Sequence, residues 1–291
     1  MSRRVALIVN PVAGGGRAAS MLAPVEAELD RLGIEWRTER TTSLEHAEEL
    51  ARAAVAARET TAALGGDGLI GRLAGVLAGT GSDLAVVPGG RGNDLARVLG
   101  IPSDPRSACE IIAGGHVRDL DVGEAGGRPF IGIATCGFDS DANRIANATT
   151  LVSGNLVYAY GALRALVAWR PAHFELELDG RRLAFTGYSV VLANSRAYGG
   201  GMYVAPDAEL DDGLLDVVAI GHVPKPRFLL DLPKVFTGRH VESPAVRVER
   251  AQEVRVGADR PFTMYADGDP IAELPVAVRA RRRVLRVCVP G

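Results

Sequence analysis

Leu64-Gly65-Gly66-Asp67-Gly68-Leu69 stands between a short apolar run, residues 60–64, and a segment with Leu69, Ile70, Leu73, Val76 and Leu77 at helical spacing. That pattern predicts a strand, a glycine turn and a helix. Glycines at such a junction leave backbone N–H groups uncovered. The helix N-terminus adds about half a positive charge, so phosphate oxygens can be held without a cationic side chain. Asp67 cannot itself bind phosphate. A carboxylate there either caps the helix in an ordinary tight turn or does chemistry: it holds a metal ion, orients a hydroxyl, or accepts its proton.

The same alternation extends to both sides. Residues 4–10 form a continuous apolar run ended by Asn10-Pro11, the signature of a strand buried on both faces of a parallel sheet. Gly14-Gly15-Gly16 follows, then a helix carrying Met21, Leu22, Val25, Leu29 and Leu32 and closed by Gly33. A second strand is predicted at 34–38, and Thr41-Thr42-Ser43 caps a helix from about 44 to 57. A fourth strand, 84–87, ends in Pro88-Gly89-Gly90-Arg91-Gly92-Asn93-Asp94. Successive strand-helix steps of this kind predict an α/β, Rossmann-like, doubly wound nucleotide-binding domain over residues 1–120. The glycine loops at 14–16, 65–68 and 89–92 should then share the carboxyl edge of its sheet.

From about Asp119 the pattern changes to apolar or alternating runs at 128–134, 172–178, 183–193, 214–220, 245–248 and 253–256, separated by turns such as Asp179-Gly180 and Asp212-Gly213. Two helix-like stretches, 155–169 and 227–236, interrupt them. This predicts a β-sandwich domain over 121–291, with the extreme C-terminus packing back on the first domain.

Composition narrows the function. The 291 residues are 47% hydrophobic and 23% charged with a net charge of −2, ordinary for a globular protein and no support for nucleic-acid binding. Lys225 and Lys234 are the only lysines. A P-loop NTPase needs one inside its glycine loop and a protein kinase needs one on an early strand, so neither class fits. Cys109, Cys136 and Cys288 are widely spaced and outside any CxxC pattern, which predicts reduced thiols, a cytoplasmic setting and no zinc site. The apolar start at residues 5–9 is too short for a signal core, and the longest apolar helix candidate, 156–169, is broken by Arg164 and too short for a transmembrane segment.

Two further stretches carry chemistry. Asn194 to Met202 includes Gly199-Gly200-Gly201 and runs on through Pro206-Asp207-Ala208-Glu209-Leu210-Asp211-Asp212-Gly213, dense enough in carboxylates for an all-oxygen magnesium or calcium site, or else a solvated acidic turn. Tyr265-Ala266-Asp267-Gly268-Asp269-Pro270 places two carboxylates around what is also a strong hairpin signal.

With these residues in view, the sequence resembles the diacylglycerol kinase catalytic-domain family, in particular the soluble bacterial lipid kinases that share motifs with sphingosine and ceramide kinases. Asn10-Pro11 with its glycine loop, the GGDG at 65–68, Gly92-Asn93-Asp94, Asp121-Val122-Gly123, Gly137-Phe138-Asp139, the triple glycine with Ala205-Pro206 and Asp212-Gly213, and Asp267-Gly268 occur in the family's order over nearly the whole chain. The resemblance implies an ATP- and magnesium-dependent lipid kinase, passing the γ-phosphoryl to diacylglycerol or a related lipid alcohol and giving phosphatidic acid or a related lipid phosphate. It implies nucleotide contacts from Asn10, Thr41, Gly65, Gly66, Asp67, Gly68, Leu69 and on to Arg72, with Arg91, Gly92, Asn93 and Asp94. Asp212, with the backbone carbonyls of Glu209 and Leu214, would match a structural magnesium site. Asp269 or Asp267 would be the general base, with Asp67 a rival.

The chain departs from the family at four places: Leu69 where bacterial members carry threonine, Arg91 in place of another threonine, Arg72 in place of an acidic residue, and Asp269 in place of glutamate. Leu69, Arg91 and Asp269 keep open a non-catalytic nucleotide- or lipid-binding relative, and the shared GGDG and two-domain plan keep open an NAD kinase. The expected setting is cytoplasmic and peripheral at the inner membrane face, and a homodimer is admitted. The stretch 151–168, with Arg164 and Arg170 nearby, reads first as a buried amphipathic helix, with membrane docking through Tyr158 and Leu166 as the alternative.

Overall fold

The computed structural model describes residues 3–142 and 164–291. Strands β1 (Arg4–Val9), β2 (Glu35–Arg40), β3 (Thr60–Gly65) and β4 (Asp83–Pro88) are parallel and lie in the order β4-β3-β1-β2. Helices α1 (Arg17–Arg31), α2 (Leu44–Ala56), α3 (Asp67–Leu77), α4 (Asp94–Leu99) and α5 (Pro105–Gly114) connect and flank them.

The two faces of this sheet follow from the two-residue period of β1. Val5, Leu7 and Val9 join Met21, Leu22, Val25, Leu29 and Ile112 under α1 and α5. Ile8 points the other way, into a core with Ala47, Ala51, Leu69, Ile70 and Leu73 from α2 and α3. Each large aliphatic side chain buried in this way contributes about 1.5–3 kcal/mol. Ser43 starts α2 as the sequence predicts, its Oγ accepting the His46 N–H at 3.1 Å.

Strand β5 (Val117–Ala125) leads into the second half, built from β6 (Arg128–Phe130), β7 (Ile133–Gly137), β8 (Ala172–Leu178), β9 (Arg181–Ala193), β10 (Leu215–Gly221), β11 (Val246–Ala251), β12 (Glu253–Ala258), β13 (Thr263–Ala266) and β14 (Asp269–Glu273). Its core is apolar and aromatic, with Phe138, Trp169, Phe174, Tyr188, Phe228 and Phe262 in mutual contact. The run expected as one strand over 128–134 is instead split between β6 and β7, because the amides of Ile131, Gly132 and Ile133 turn aside to the Asp267 carboxylate. The helix expected at 227–236 is an α-helix over Lys225–Asp231 that tightens to a 3-10 turn at Leu232–Thr237, where Pro233 removes an amide donor. Of the helix expected at 155–169, residues 164–168 are helical and Trp169 follows them; residues 155–163, Tyr158 included, lie outside the described residues.

The last strand, β15 (Val276–Cys288), pairs antiparallel with β5 and β12 and parallel with β4 through Arg286↔Asp83 and Val287↔Leu84. One mixed sheet therefore passes through both domains of the α/β fold. The sequence pattern carries no strand signal here. Arg279, Arg281, Arg282, Arg283 and Arg286 mask the alternation, and a register shift between Arg281 and Leu285 breaks its period. Among the described residues, no helix is long and apolar enough to cross a membrane.

Candidate active site

The three glycine loops meet at the carboxyl edge of the parallel sheet. The Gly89 N–H donates to the Gly65 carbonyl at 2.8 Å, and a Cβ on Gly90 would overlap the Cα of Gly66. A Cβ on Gly14 would likewise overlap the Gly89 carbonyl oxygen, so these backbones approach as closely as glycine allows.

Asp67 ties two of the loops together. It is the first residue of α3, yet its carboxylate leaves that helix: Oδ2 accepts the Asn93 N–H at 2.8 Å and Oδ1 the Asp94 N–H at 2.6 Å. Asp67 therefore caps the next helix, α4, rather than its own. The Asn93 side chain closes the loop from within, its Oδ1 accepting the Gly90 N–H and its Nδ2 donating to the Gly90 carbonyl.

The remaining predicted nucleotide residues fall into three kinds. The Asn10 Oδ1 accepts the Val12 N–H and shapes the first loop, while Thr41 is buried at the end of β2 with its hydroxyl donating to the Ser43 carbonyl. Arg91 is exposed, with its guanidinium beside Gly15. Leu69 is 2% exposed and packs its side chain in the core over Gly65. This apolar side chain replaces a hydroxyl because the position serves the α3 core.

The hairpin between β13 and β14 closes the opposite side. Asp267 and Gly268 form its two-residue turn, both left-handed at φ 50° and 95°. The half-buried Asp267 carboxylate accepts three amides, Ile131 at 2.8 Å, Gly132 at 3.0 Å and Ile133 at 3.2 Å. Burial pushes its pKa up to about 6; the three amides pull against that rise and the negative charge of Asp67 adds to it. Asp269 is exposed, with Oδ2 3.2 Å from Arg72 Nη2, and Arg72 Nη1 lies 3.2 Å from Glu48 Oε1. Asp67, Gly68, Gly71, Arg72, Asp267 and Asp269 thus line one cleft of about 320 Å³, with Glu48 and Arg52 from α2 and Arg128 and Pro129 at β6 completing the wall. The last four carry no local sequence signal and are recruited by the fold.

The triple glycine of the second domain reaches the first. Gly200 donates its N–H to Asp94 Oδ2 at 2.9 Å. Burial raises the Asp94 pKa, the Gly200 amide lowers it, and the Asp67 charge raises it again. Asp94 Oδ1 is buried without a hydrogen-bond partner, and the nearest cation, Arg97 Nε, is 4.0 Å away. Magnesium bound with a nucleotide needs one or two carboxylates, its other ligands being phosphate oxygens and water, so Asp94 with Asp67 fits such an ion.

In the second-domain acidic loop Asp212 Oδ2 is buried without a hydrogen-bond partner, while an arginine lies beside it. Asp212 Oδ1 accepts the Leu214 N–H at 3.0 Å, and the Arg250 guanidinium lies 3.0 Å from Asp212 Oδ2 and 3.4 Å from Asp216 Oδ1. Glu209 is exposed, and Asp211 pairs with Arg118 at 2.7 Å. Among the described residues no group of three metal-ligating side chains is gathered. Buried Asp121 adds a further brace, accepting the Gly213 N–H at 2.5 Å and the Arg283 N–H at 2.7 Å.

A glycine-lined parallel-sheet edge thus faces a hairpin that carries two carboxylates. The chain belongs to the diacylglycerol kinase family: residues 4–125 match the diacylglycerol kinase catalytic domain and residues 132–289 the YegS C-terminal NAD kinase beta sandwich-like domain. It is 33% identical over 99% of its length to a protein named diacylglycerol kinase in Mycobacterium tuberculosis strain H37Rv, covering 95% of that protein. It is 29% identical to a diacylglycerol kinase of Bacillus subtilis strain 168 over 99% of this chain and 97% of that one. A probable lipid kinase YegS-like of Pseudomonas fluorescens is 31% identical over 84% of this chain and 82% of its own. A solved structure of a diacylglycerol kinase from Bacillus anthracis shares the fold at 20% identity, with a TM-score of 0.77 over 99% of this chain and 97% of that one.

Proposed function

We propose that this enzyme transfers the γ-phosphoryl of ATP to the hydroxyl of diacylglycerol or a related lipid alcohol, yielding phosphatidic acid or a related lipid phosphate. The observation that carries the proposal is the single cleft in which Asp67, clamped to the Asn93 and Asp94 amides, faces Asp267 and Asp269 across α3. Phosphoryl transfer asks for positioning and charge stabilisation rather than covalent help from the protein.

In this reading residues 1–120 hold the nucleotide and 121–291 supply the hairpin. Amides of the glycine loops and the Arg91 guanidinium meet the phosphates; Asp94 and Asp67 would hold magnesium, which would supply charge neutralisation. Asp269 accepts the hydroxyl proton as the lipid oxygen bonds to phosphorus and the bond to the ADP oxygen breaks. We choose Asp269 over Asp267 because only one of its oxygens is engaged, by Arg72, whereas Asp267 is committed to three amides and positions the turn. The setting that fits this work is the cytoplasmic face of a membrane.

The test is transfer of labelled γ-phosphate from magnesium ATP to micelle-presented diacylglycerol, monoacylglycerol, sphingosine, ceramide and phosphatidylglycerol, with NAD as soluble control. A labelled lipid is expected. Label on NAD alone, or ATP binding without any labelled product, overturns the proposal.

A further inference from the structure

We infer that the segment from Lys225 to Arg239 is a docking ridge for an anionic lipid surface. Its purpose, though not its existence, rests on the lipid kinase reading. Apolar side chains are left outside the core along this stretch: Leu229 is 45% exposed, Leu230 73% and Phe236 56%, with Leu232 beside them. Val167, also 73% exposed, extends the row, because Lys225 Nζ donates to its carbonyl at 2.8 Å. Most of the exposed large hydrophobics among the described residues are in this one row. It is therefore a patch rather than the usual scatter.

Charge points to the occupant. Four basic side chains, Lys225, Arg227, Lys234 and Arg239, stand along this stretch against Asp231 within it and Glu242 just beyond it, which pairs with Arg239 at 3.3 Å, in a chain whose net charge is −2. Both lysines of the protein are here. Lysine and arginine with a row of leucine and phenylalanine suit an interface between anionic headgroups and acyl chains. Asp231 sets the spacing, pairing with Arg227 at 2.8 Å and Lys234 at 2.7 Å.

The ridge is held rigidly and tied to the active site. Phe228 is buried against Tyr188 and Phe138, and His240 closes the segment with Nε2 2.9 Å from the Val204 carbonyl. The Val235 carbonyl accepts the Tyr203 N–H, and that loop runs back to Gly200 on Asp94. Leu166, by contrast, is 3% exposed, in line with the buried reading of its helix and not with a docking contact.

The test is sedimentation of the full chain with vesicles of phosphatidylcholine alone or mixed with phosphatidylglycerol. Binding is expected only to the mixed vesicles, weakening with salt. Leu230→Ser/Phe236→Ser should weaken it by about tenfold or more, and Lys225→Gln/Arg239→Gln by several-fold. Phosphorylation of a water-soluble short-chain diacylglycerol should be unchanged in both variants. If the kinase reading fails there is no turnover to compare, yet vesicle binding is still read. No wild-type binding to mixed vesicles overturns the inference. So does equal binding by variants with wild-type melting temperature, or a wild-type dimer that Leu230→Ser/Phe236→Ser dissociates. Single variants replace any double variant that fails to fold.

Discussion

Arg72 and Asp269, 197 residues apart in sequence, meet across the cleft with Nη2 3.2 Å from Oδ2. Each departs from the pattern of the lipid kinases it resembles, an arginine for an acidic residue and an aspartate for a glutamate. Together they form one contact. The shorter carboxylate is reached from α3 by the long guanidinium, which Glu48 braces from behind.

Loss of that partner should act on turnover rather than on the fold. Arg72→Ala is expected to lower kcat several-fold and to change stability by less than about 1 kcal/mol, because the pair is partly exposed. Asp269→Asn should lower kcat by about 10²-fold or more at unchanged melting temperature. Steady-state kinetics beside thermal melts check both, and full activity in Asp269→Asn removes it as the base.

Asp67 serves two amides at once, so its removal should be felt as structure first. Asp67→Ala is expected to cost about 1–3 kcal/mol and to abolish ATP binding, while Asp67→Asn keeps one acceptor and retains more of both. Calorimetric titration with ATP and denaturant melts separate these effects.

Asp267 should give the protein a pH signature. Its folded pKa is raised to about 6 against an ordinary value of 3.8, so between those values the folded state holds a proton that the unfolded chain has released. The associated stability is full below pH 4 and lost as pH rises through 6. Relative to Asp267→Asn, wild type should therefore fall in melting temperature over that interval. Parallel curves for the two proteins would contradict the raised value.

Two glycines of neighbouring loops should differ sharply. A Cβ on Gly90 overlaps the Gly66 backbone, while one on Gly68 meets nothing within 4 Å. Gly90→Ala is expected to weaken ATP binding by about tenfold or more by forcing the loops apart, and Gly68→Ala to leave it nearly unchanged.

Arg250 lies 3.0 Å from Asp212, the residue expected to hold a structural magnesium. A chelator should leave the melting temperature of the nucleotide-free protein unchanged. Arg250→Ala should cost about 1–2 kcal/mol, less than a fully buried pair because the arginine is partly exposed, and leave the Asp216 carboxylate buried beside Asp212. A melting temperature that falls with the chelator would restore the metal.

Much of this architecture was legible because it is written locally. The strand, glycine turn and helix around Asp67, the Ser43 cap and the Asp267-Gly268 hairpin each depend on a few adjacent residues. What escaped depends on distance. Nothing in residues 276–288 announces a strand joining both halves, since its arginines answer to partners such as Glu124 and Asp83 far away in sequence. Likewise Asp67 looked like a free carboxylate or a cap for α3, and only the packing of loop on loop shows it serving α4.

The strand β15 has a consequence for how the chain acquires its shape. The nucleotide-side sheet receives the neighbour of β4 from residues 286–287, some two hundred positions later. Until that segment arrives, β4 presents an unpaired edge, an invitation to stray pairing with other chains. Contacts so distant in sequence also slow folding, because a long loop must close before they reward it. Truncations before residue 276 should therefore yield aggregating material rather than a smaller, working domain.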